Sequence, residues 1–238
     1  MTNMSALAEQ IDALLQQRGT PERAAQEQRY LKSELDHYGA SVPAVRAVVK
    51  EVTGKLALEH DQLVELAEVL WSAPVHERRA AAAELLEQRV DQLRGDDIDL
   101  LERLLRESRT WALVDNLAAS VVGPLAEREE SLGAVLDRWA EDPDFWIRRS
   151  ALLANLIPLR QGRGDFERFA RYADAMLEEK EFFIRKAIGW VLRDTGKLRP
   201  ELVFDWFLPR APRASGVTLR EAVKYLPEPY RSAILAAR

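Results

Sequence analysis

Three observations predict an all-α fold. Ala, Leu, Glu and Arg dominate the 238 residues with little clustering of β-branched side chains. No stretch alternates apolar and polar residues for more than a few positions, so no strand is expected. A short pattern also recurs at almost constant spacing along the chain, as it does in stacked helix-pair proteins.

Composition sets the outer limits. The 47% hydrophobic share is that of a globular chain, and residues 1–238 are read as a single repeat domain. The absence of cysteine excludes disulfides, thiolate metal or iron–sulfur sites and a cysteine nucleophile. No apolar run approaches membrane-spanning length, and Met1–Gln10 lacks a basic segment followed by an apolar core. A soluble cytoplasmic protein without membrane association is therefore expected. The formal charge of −5 hides an asymmetry: residues 146–238 hold 18 basic against 11 acidic side chains, and residues 1–145 carry the compensating excess of acid. A polarised chain of this kind suits an anionic partner.

The elements follow in order. Residues 5–17 form a first helix, closed at Arg18-Gly19. Thr20-Pro21 then supplies an N-cap and a proline at the first helical position of a helix running to about Asp36. Tyr38 to Pro43 is a turn, and Pro43 opens a helix to about Val52. Further helices are expected at about 60–72, 75–92, 97–107, 110–121, 130–140, 144–157, 165–178, 181–194, 200–207, 217–225 and 228–236, and the short Val121-Val122 run is no strand because it stops at Gly123-Pro124. Trp71, Trp139 and Trp206 are expected in the core between repeats.

The recurring pattern aligns His76-Glu77-Arg78-Arg79-Ala80 with Trp111-Ala112-Leu113-Val114-Asp115 and with Trp146-Ile147-Arg148-Arg149-Ser150. Phe183-Ile184-Arg185-Lys186-Ala187 and Thr218-Leu219-Arg220-Glu221-Ala222 continue it. The middle positions 78, 113, 148, 185 and 220 are 35, 35, 37 and 35 residues apart, with one other helix between copies. The unit is thus a helix pair, and the expected architecture is a curved α-solenoid of HEAT-like repeats with a concave face.

One helix carries the oddest residues. Trp111 and Asp115 are four apart, so indole and carboxylate leave the same face of an otherwise apolar helix. A carboxylate there faces a groove, pairs with a base or is buried at a cost of several kcal/mol. The repeat sets Arg148 and Arg149, then Arg185, Lys186 and Trp190, on equivalent helices. The expected convergence of these residues on one concave wall would place two indoles and an acid among cations.

These residues resemble the AlkD-like family of bacterial DNA alkylation repair glycosylases. The likeness is carried by Trp111–Asp115, by Trp146–Ala151, and most specifically by the run Glu181–Arg193 ending in Ile188-Gly189-Trp190-Val191-Leu192-Arg193. Tyr30-Leu31-Lys32, His37-Tyr38-Gly39 and Val42-Pro43 resemble the family's N-terminal block, and Arg220–Lys224 its C-terminal one, so the resemblance covers roughly residues 22–230. It implies excision of N3- or N7-alkylated purines from duplex DNA without flipping the base, with Asp115, Trp111 and Trp190 at the chemistry. Tyr30, Lys32, Arg148, Arg149, Arg185, Lys186, Arg220 and Lys224 are the implied DNA contacts. Arg149 is favoured as the phosphate contact beside the lesion, whereas Arg148 serves equally well as the partner of a carboxylate between repeats. The chain departs from the family pattern at Ile157-Pro158, where a basic residue is expected; Arg160 or Arg163 is the candidate substitute.

The chemistry suits the residues. Alkylation makes the base cationic and therefore a good leaving group, so what needs stabilising is positive charge on the deoxyribose, which a carboxylate supplies. Indole faces add ~0.5–2 kcal/mol each by cation–π attraction. No lysine stands where a Schiff-base lyase needs one, so a monofunctional glycosylase leaving an abasic site is expected, acting without cofactor or metal and as a monomer. His37, His60 and His76 lack metal-ligand spacing, Gly162-Arg163-Gly164 is a plain loop, and Asp96 or Asp97 reads as an N-cap rather than part of a calcium loop. Two other readings remain open: a member specialised for bulky adducts, and a non-catalytic solenoid that binds DNA or a protein.

Overall fold

Capping side chains fix where most helices begin. The computed structural model describes residues 3–238, which resolve into two compact units, Met1–Leu117 and Ala118–Arg238. The expected all-α class is observed: the described residues contain helices and a single isolated parallel bridge between Asp36 and Val75, with no named strand. No helix among them is long and apolar enough to cross a membrane.

In the first unit, Asn3 caps α1 (Met4–Arg18), which buries Met4, Ala8, Ile11 and Leu15 along one stripe. Thr20 caps α2 (Pro21–Leu31), accepting from the Arg23 amide at 3.4 Å. This helix ends four to five residues earlier than the sequence suggests, because Lys32 turns left-handed at φ +50° and the Ser33 amide returns to the Gln28 carbonyl. Ser41 caps α3 (Val42–Thr53), and α4 (His60–Ser72) buries Leu63, Leu66, Leu70 and Trp71. The expected helix over 75–92 divides into α5 (His76–Gln88) and a 3-10 turn, Val90–Gln92. α6 (Ile98–Ser108) closes on a second left-handed cation, Arg109 at φ +46°, and α7 (Trp111–Asn116) follows at once. α1, α3, α4 and α5 pack together, and α7 lies against α5 and α6.

Beyond Asn116 the expected α-helix over 110–121 becomes a π-helical turn, Leu117–Val122. Val121-Val122 forms no strand, as expected, and Gly123-Pro124, left outside the expected helices, starts one. α8 (Gly123–Arg128) opens the second unit's helices, since proline in a first turn lacks only an amide that has no partner anyway. It is followed by α9 (Gly133–Ala140), α10 (Phe145–Leu153), α11 (Leu156–Arg160) and α12 (Phe166–Ala175). The chain ends with α13 (Phe182–Thr195), α14 (Pro200–Phe207), α15 (Gly216–Ala222) and α16 (Glu228–Ala236). The break between α10 and α11 falls where Pro158 would press on the Ala154 carbonyl. Trp71 and Trp139 are fully buried as expected, whereas Trp206 is only half-buried, with the Arg210 guanidinium 4.7 Å from its ring.

The repeat spacing reappears in the polar bonds inside each unit. In the first, Arg46 reaches Glu84 at 2.9 Å, His60 reaches Asp97 at 2.9 Å and Trp71 Nε1 donates to Glu107 at 2.7 Å. In the second, Arg163 holds Glu127, Tyr172 donates to Asp137 at 2.6 Å, Arg160 holds Asp194 and Arg210 holds Asp174. Every one of these pairs spans 34 to 38 residues, the length of one helix pair.

Candidate active site and nucleic-acid interface

The first unit places Trp111 at the start of α7, half-buried, and Tyr30 edge-on to it. The two ring centroids are 5.9 Å apart at 88°, although Tyr30 sits on α2 and is itself 72% exposed. An edge-to-face pair fixes the orientation of an indole that still faces solvent on part of its surface. Leu113 and Val114 are buried, which anchors α7, and Asp115 projects from the Trp111 face as a half-buried carboxylate. Lys32 follows Tyr30 by two residues and is exposed. The structure thus brings Tyr30 to Trp111 across helices distant in sequence. It also sets Asp115 two residues before a π-helical turn, a conformation found disproportionately at functional sites.

The second unit holds its cations differently. Arg148 donates to both carboxylate oxygens of Glu179, at 2.8 and 3.1 Å, and to the carbonyls of Asp142 and Pro143. Its guanidinium ties α10 to the turn before α13, which realises the carboxylate-pairing alternative. Arg149 is 3% exposed; it donates to the Phe183 carbonyl and stands 5.7 Å over the Phe183 ring. The residue favoured from the sequence as a phosphate contact is therefore buried beneath an aromatic cluster of Phe145, Trp146 and Phe183. Arg185 Nε donates to the Glu179 carbonyl at 2.7 Å, and Lys186 Nζ to Glu221 at 2.6 Å. Gly189 permits the close approach behind that pair, since a Cβ there would meet Glu221 Cβ at 2.6 Å and the Thr218 carbonyl at 2.9 Å.

Trp190 is half-buried and its Nε1 donates to Asp194 at 3.3 Å. Asp194 is almost wholly buried: burial pushes its carboxyl up, but Lys197 and Arg160 together hold it below the usual carboxylate range. Glu221 behaves alike, with the cost of burial outweighed by Lys186 and Arg193. Arg160 and Arg163, the candidates to replace the missing basic residue, pair with Asp194 and Glu127. Arg220 and Lys224 remain exposed, with no carboxylate within ion-pair distance among the described residues. The organising carboxylates Glu127, Asp174, Asp194 and Glu221 escaped the sequence reading. A usable signal existed, because each sits one helix pair from the cation it binds.

The histidines also acquire partners that linear spacing conceals. His60 bonds Asp61 and Asp97, and Asp97 accepts from the Arg94 amide at 2.7 Å, so its carboxylate does not cap α6 although the residue stands at that helix's N-cap position. His37 stacks on His76 with centroids 4.6 Å apart, and its ring lies near Glu27 and Glu77, whose ligand atoms are within 4.8 Å of one another. Glu77 is nevertheless engaged by the amides of Tyr38, Gly39 and Ala40 at 2.9, 2.6 and 3.1 Å, which makes it an anchor for the turn before α3. Burial, reinforced by the neighbouring His37, lowers the His76 pKa to about 4.

Comparison with known proteins assigns the fold and the family. No curated protein sequence matches the chain. A predicted DNA alkylation repair enzyme from Enterococcus faecalis has a similar solved structure, with a TM-score of 0.78 at 23% identity, over 89% of this chain and 98% of that one. AlkD2 from Streptococcus mutans superposes with a TM-score of 0.59 at 17% identity, over 86% of this chain and 98% of that one. The smu.31 protein of Streptococcus mutans UA159 gives 0.57 at 16% identity, over 90% and 100%. At these identities the likeness establishes the all-α fold. The family described as DNA alkylation repair enzyme matches residues 11–226, nearly the whole chain, so this protein belongs to the DNA alkylation repair enzyme family.

Proposed function

We propose that the protein is a monofunctional DNA glycosylase that releases cationic N3- or N7-alkylated purines from duplex DNA. The observation that carries this reading is the α7 arrangement: a half-buried carboxylate, Asp115, one turn from an indole that Tyr30 holds edge-on. In the proposed reaction the bond between C1′ and the purine nitrogen breaks, and its electron pair neutralises the alkylated base. Positive charge then develops on the deoxyribose, where Asp115 attracts it and the Trp111 face adds cation–π stabilisation. Water adds at C1′ and loses a proton, leaving an abasic sugar. Trp190 is assigned the second indole role from the family resemblance. The lesion's own charge replaces a general acid, so the base needs no enclosing pocket and remains in the helix. Both units, residues 1–238 together, are proposed to serve this one activity in the cytosol, as a monomer.

Exposure sorts the implied DNA contacts. Tyr30, Lys32, Arg220 and Lys224 are exposed and suited to the phosphate backbone, which fixes register without reading sequence. Arg185 and Lys186 are half-buried and bonded to protein acceptors, so they contribute as parts of a positive framework. Arg148 and Arg149 hold that framework in place. The decisive experiment is incubation with duplex containing N7-methylguanine and with duplex containing uracil or hypoxanthine, scored for free base. Release from the cationic lesion alone is expected. Efficient release of uracil or hypoxanthine would mean that a general acid or a base pocket does the work now assigned to Asp115.

A further inference from the structure

The first unit contains a cleft that the pairing of Trp111 with Asp115 does not explain. It has a volume of about 610 Å³ and is lined by Lys32, Arg79, Arg106, Arg109 and Thr110. Two carboxylates share its wall, and both have other engagements. Glu107 accepts from Trp71 Nε1 at 2.7 Å and lies 3.8 Å from Arg103. Glu34 stands 4.0 Å from Arg109, with both side chains more than three-quarters exposed, a pair that water screens and a stronger anion displaces. Arg106 is held by Glu102 at 2.7 Å, which leaves Lys32, Arg79 and Arg109 as the lining's other cations.

Three further features of this cleft favour an oxyanion. Thr110 occupies the N-cap position of α7 yet its side chain makes no capping bond. It is only 3% exposed, and its hydroxyl has no hydrogen-bond partner. A buried hydroxyl without a partner is unfavourable, and a ligand oxygen would relieve it. Arg79 presents a second unpartnered donor, its buried Nε, while Nη1 is fixed on the Glu107 carbonyl at 2.9 Å; burial lowers its pKa, so an anion nearby would favour its charged form. Finally, Lys32 and Arg109 are, among the described residues, the two with positive φ that are not glycine, and both line this cleft. Each closes a helix where glycine would be the unstrained choice, so a cationic side chain sits there against the backbone preference. Strain of that kind gathers where function needs the side chain.

We propose that this cleft is a phosphate-binding subsite beside Trp111, taking a phosphodiester of the DNA strand. Thr110 and Arg79 would donate to its oxygens, and Lys32 and Arg109 would neutralise its charge. The proposal rests on the proposed activity on DNA, and a free phosphate would satisfy the same donors. Two variants separate the cases. Arg109→Gly removes the charge while relieving the left-handed backbone, so its thermal stability should not fall. Thr110→Val removes one uncharged donor. With a short unmodified duplex, Arg109→Gly should weaken binding several-fold and reduce the slope of log affinity against log salt by about 0.9, and Thr110→Val should weaken binding at unchanged slope. Thermal melting in inorganic phosphate against chloride, at equal ionic strength, forms the second arm. Loss of phosphate protection in both variants, with duplex binding intact, would assign the subsite to free phosphate. Unaltered duplex binding together with unaltered phosphate protection would overturn the proposal. Failure of the wild type to bind any duplex would instead remove the DNA activity and leave the phosphate arm to decide the subsite.

Discussion

The two units both pair cations with carboxylates across helices, but they differ in where cations are left loosely held. The second carries the net basic excess, yet its cations largely face carboxylates on other helices: Arg160 with Asp194, Lys186 with Glu221 and Arg210 with Asp174 one helix pair away, Arg213 also with Asp174, and Arg193 with Glu221 at 28 residues. The first unit belongs to the acidic part of the chain, and it contains the cleft in which Lys32 and Arg109 are held in left-handed turns beside an unpartnered Thr110 hydroxyl. Segment charge therefore misjudges where an anion would be received. A cation bonded to a buried carboxylate offers little field to a ligand, whereas Lys32, and Arg109 with only a loose, water-screened Glu34 beside it, offer more.

The sharpest test of this contrast is stability. Arg149→Met should cost the second unit about 3–4 kcal/mol, from the lost charged hydrogen bond to the Phe183 carbonyl at ~1.5–3 kcal/mol and a lost cation–π contact at ~0.5–2 kcal/mol. Arg109→Gly in the first unit should cost nothing. Denaturant unfolding of both variants checks this, and a stable Arg149→Met protein with weakened DNA affinity would reverse the roles of the two arginines. A somewhat smaller effect is expected from acid. The folded-state pKa of His76 is about 4, below its unfolded value of about 6.5, so the unfolded chain binds more protons between those values. His76 therefore contributes stability that is complete above pH 6.5 and is lost as pH falls toward 4, on the order of 3 kcal/mol. The charges facing the pair are Glu77 beside both rings and Glu27 and Asp36 beside His37, and protonation of His37, whose own pKa burial lowers, would add to the loss. Replacing His76 with Phe should flatten unfolding free energy across that window; an unchanged pH profile would show that the pair is solvated.

How much of this was legible in the sequence follows from the range of each interaction. Caps at Thr20 and Ser41, the apolar stripe of α1 and the 35-residue register are local or periodic, and periodicity survives in one dimension. Left-handed Lys32 and Arg109 are not legible, because nothing in a lysine or an arginine announces a conformation that glycine normally takes. The π-helical turn after Asn116 is equally silent, since Leu117–Val122 reads as ordinary helix. The pairing of cations was half-legible: Glu127, Asp174, Asp194 and Glu221 each have a partner 34 to 36 residues away, but deciding which cations pair and which stay open needs the packed helices. Asp115 and Trp111 could be singled out because an acid in an apolar helix is a local anomaly. Tyr30 beside Trp111 follows only from the fold.

Asp115→Asn addresses the first unit's chemistry directly. The amide preserves shape and removes charge, so folding and duplex affinity should stay while base release falls at least tenfold, or about 1.4 kcal/mol of transition-state stabilisation. Single-turnover release of N7-methylguanine, measured beside a binding isotherm, separates the two quantities. Wild-type excision by this variant would take the carboxylate out of the mechanism.

The smallest expected effect discriminates best between the open and the occupied cations of the second unit. Lys224 is exposed and lies 5.5 Å over the exposed Tyr225 ring, which positions its ammonium without neutralising it. Arg148 is equally cationic but has its guanidinium committed to Glu179 and two carbonyls. If duplex binding releases condensed counterions in proportion to the phosphates neutralised, Lys224→Ala should lower the salt slope by about 0.9 and affinity by a few-fold at low salt. Arg148→Met should leave the slope close to its wild-type value, because the lost cation and the newly unpaired Glu179 change the field at the surface far less than an open lysine does. Its effect should appear in unfolding instead, since a partly buried bidentate pair and two carbonyl contacts are removed at once. Equal slope changes for the two variants would show that ion-paired arginines re-orient toward DNA on binding, and the contrast between open and occupied cations would then describe only the free protein.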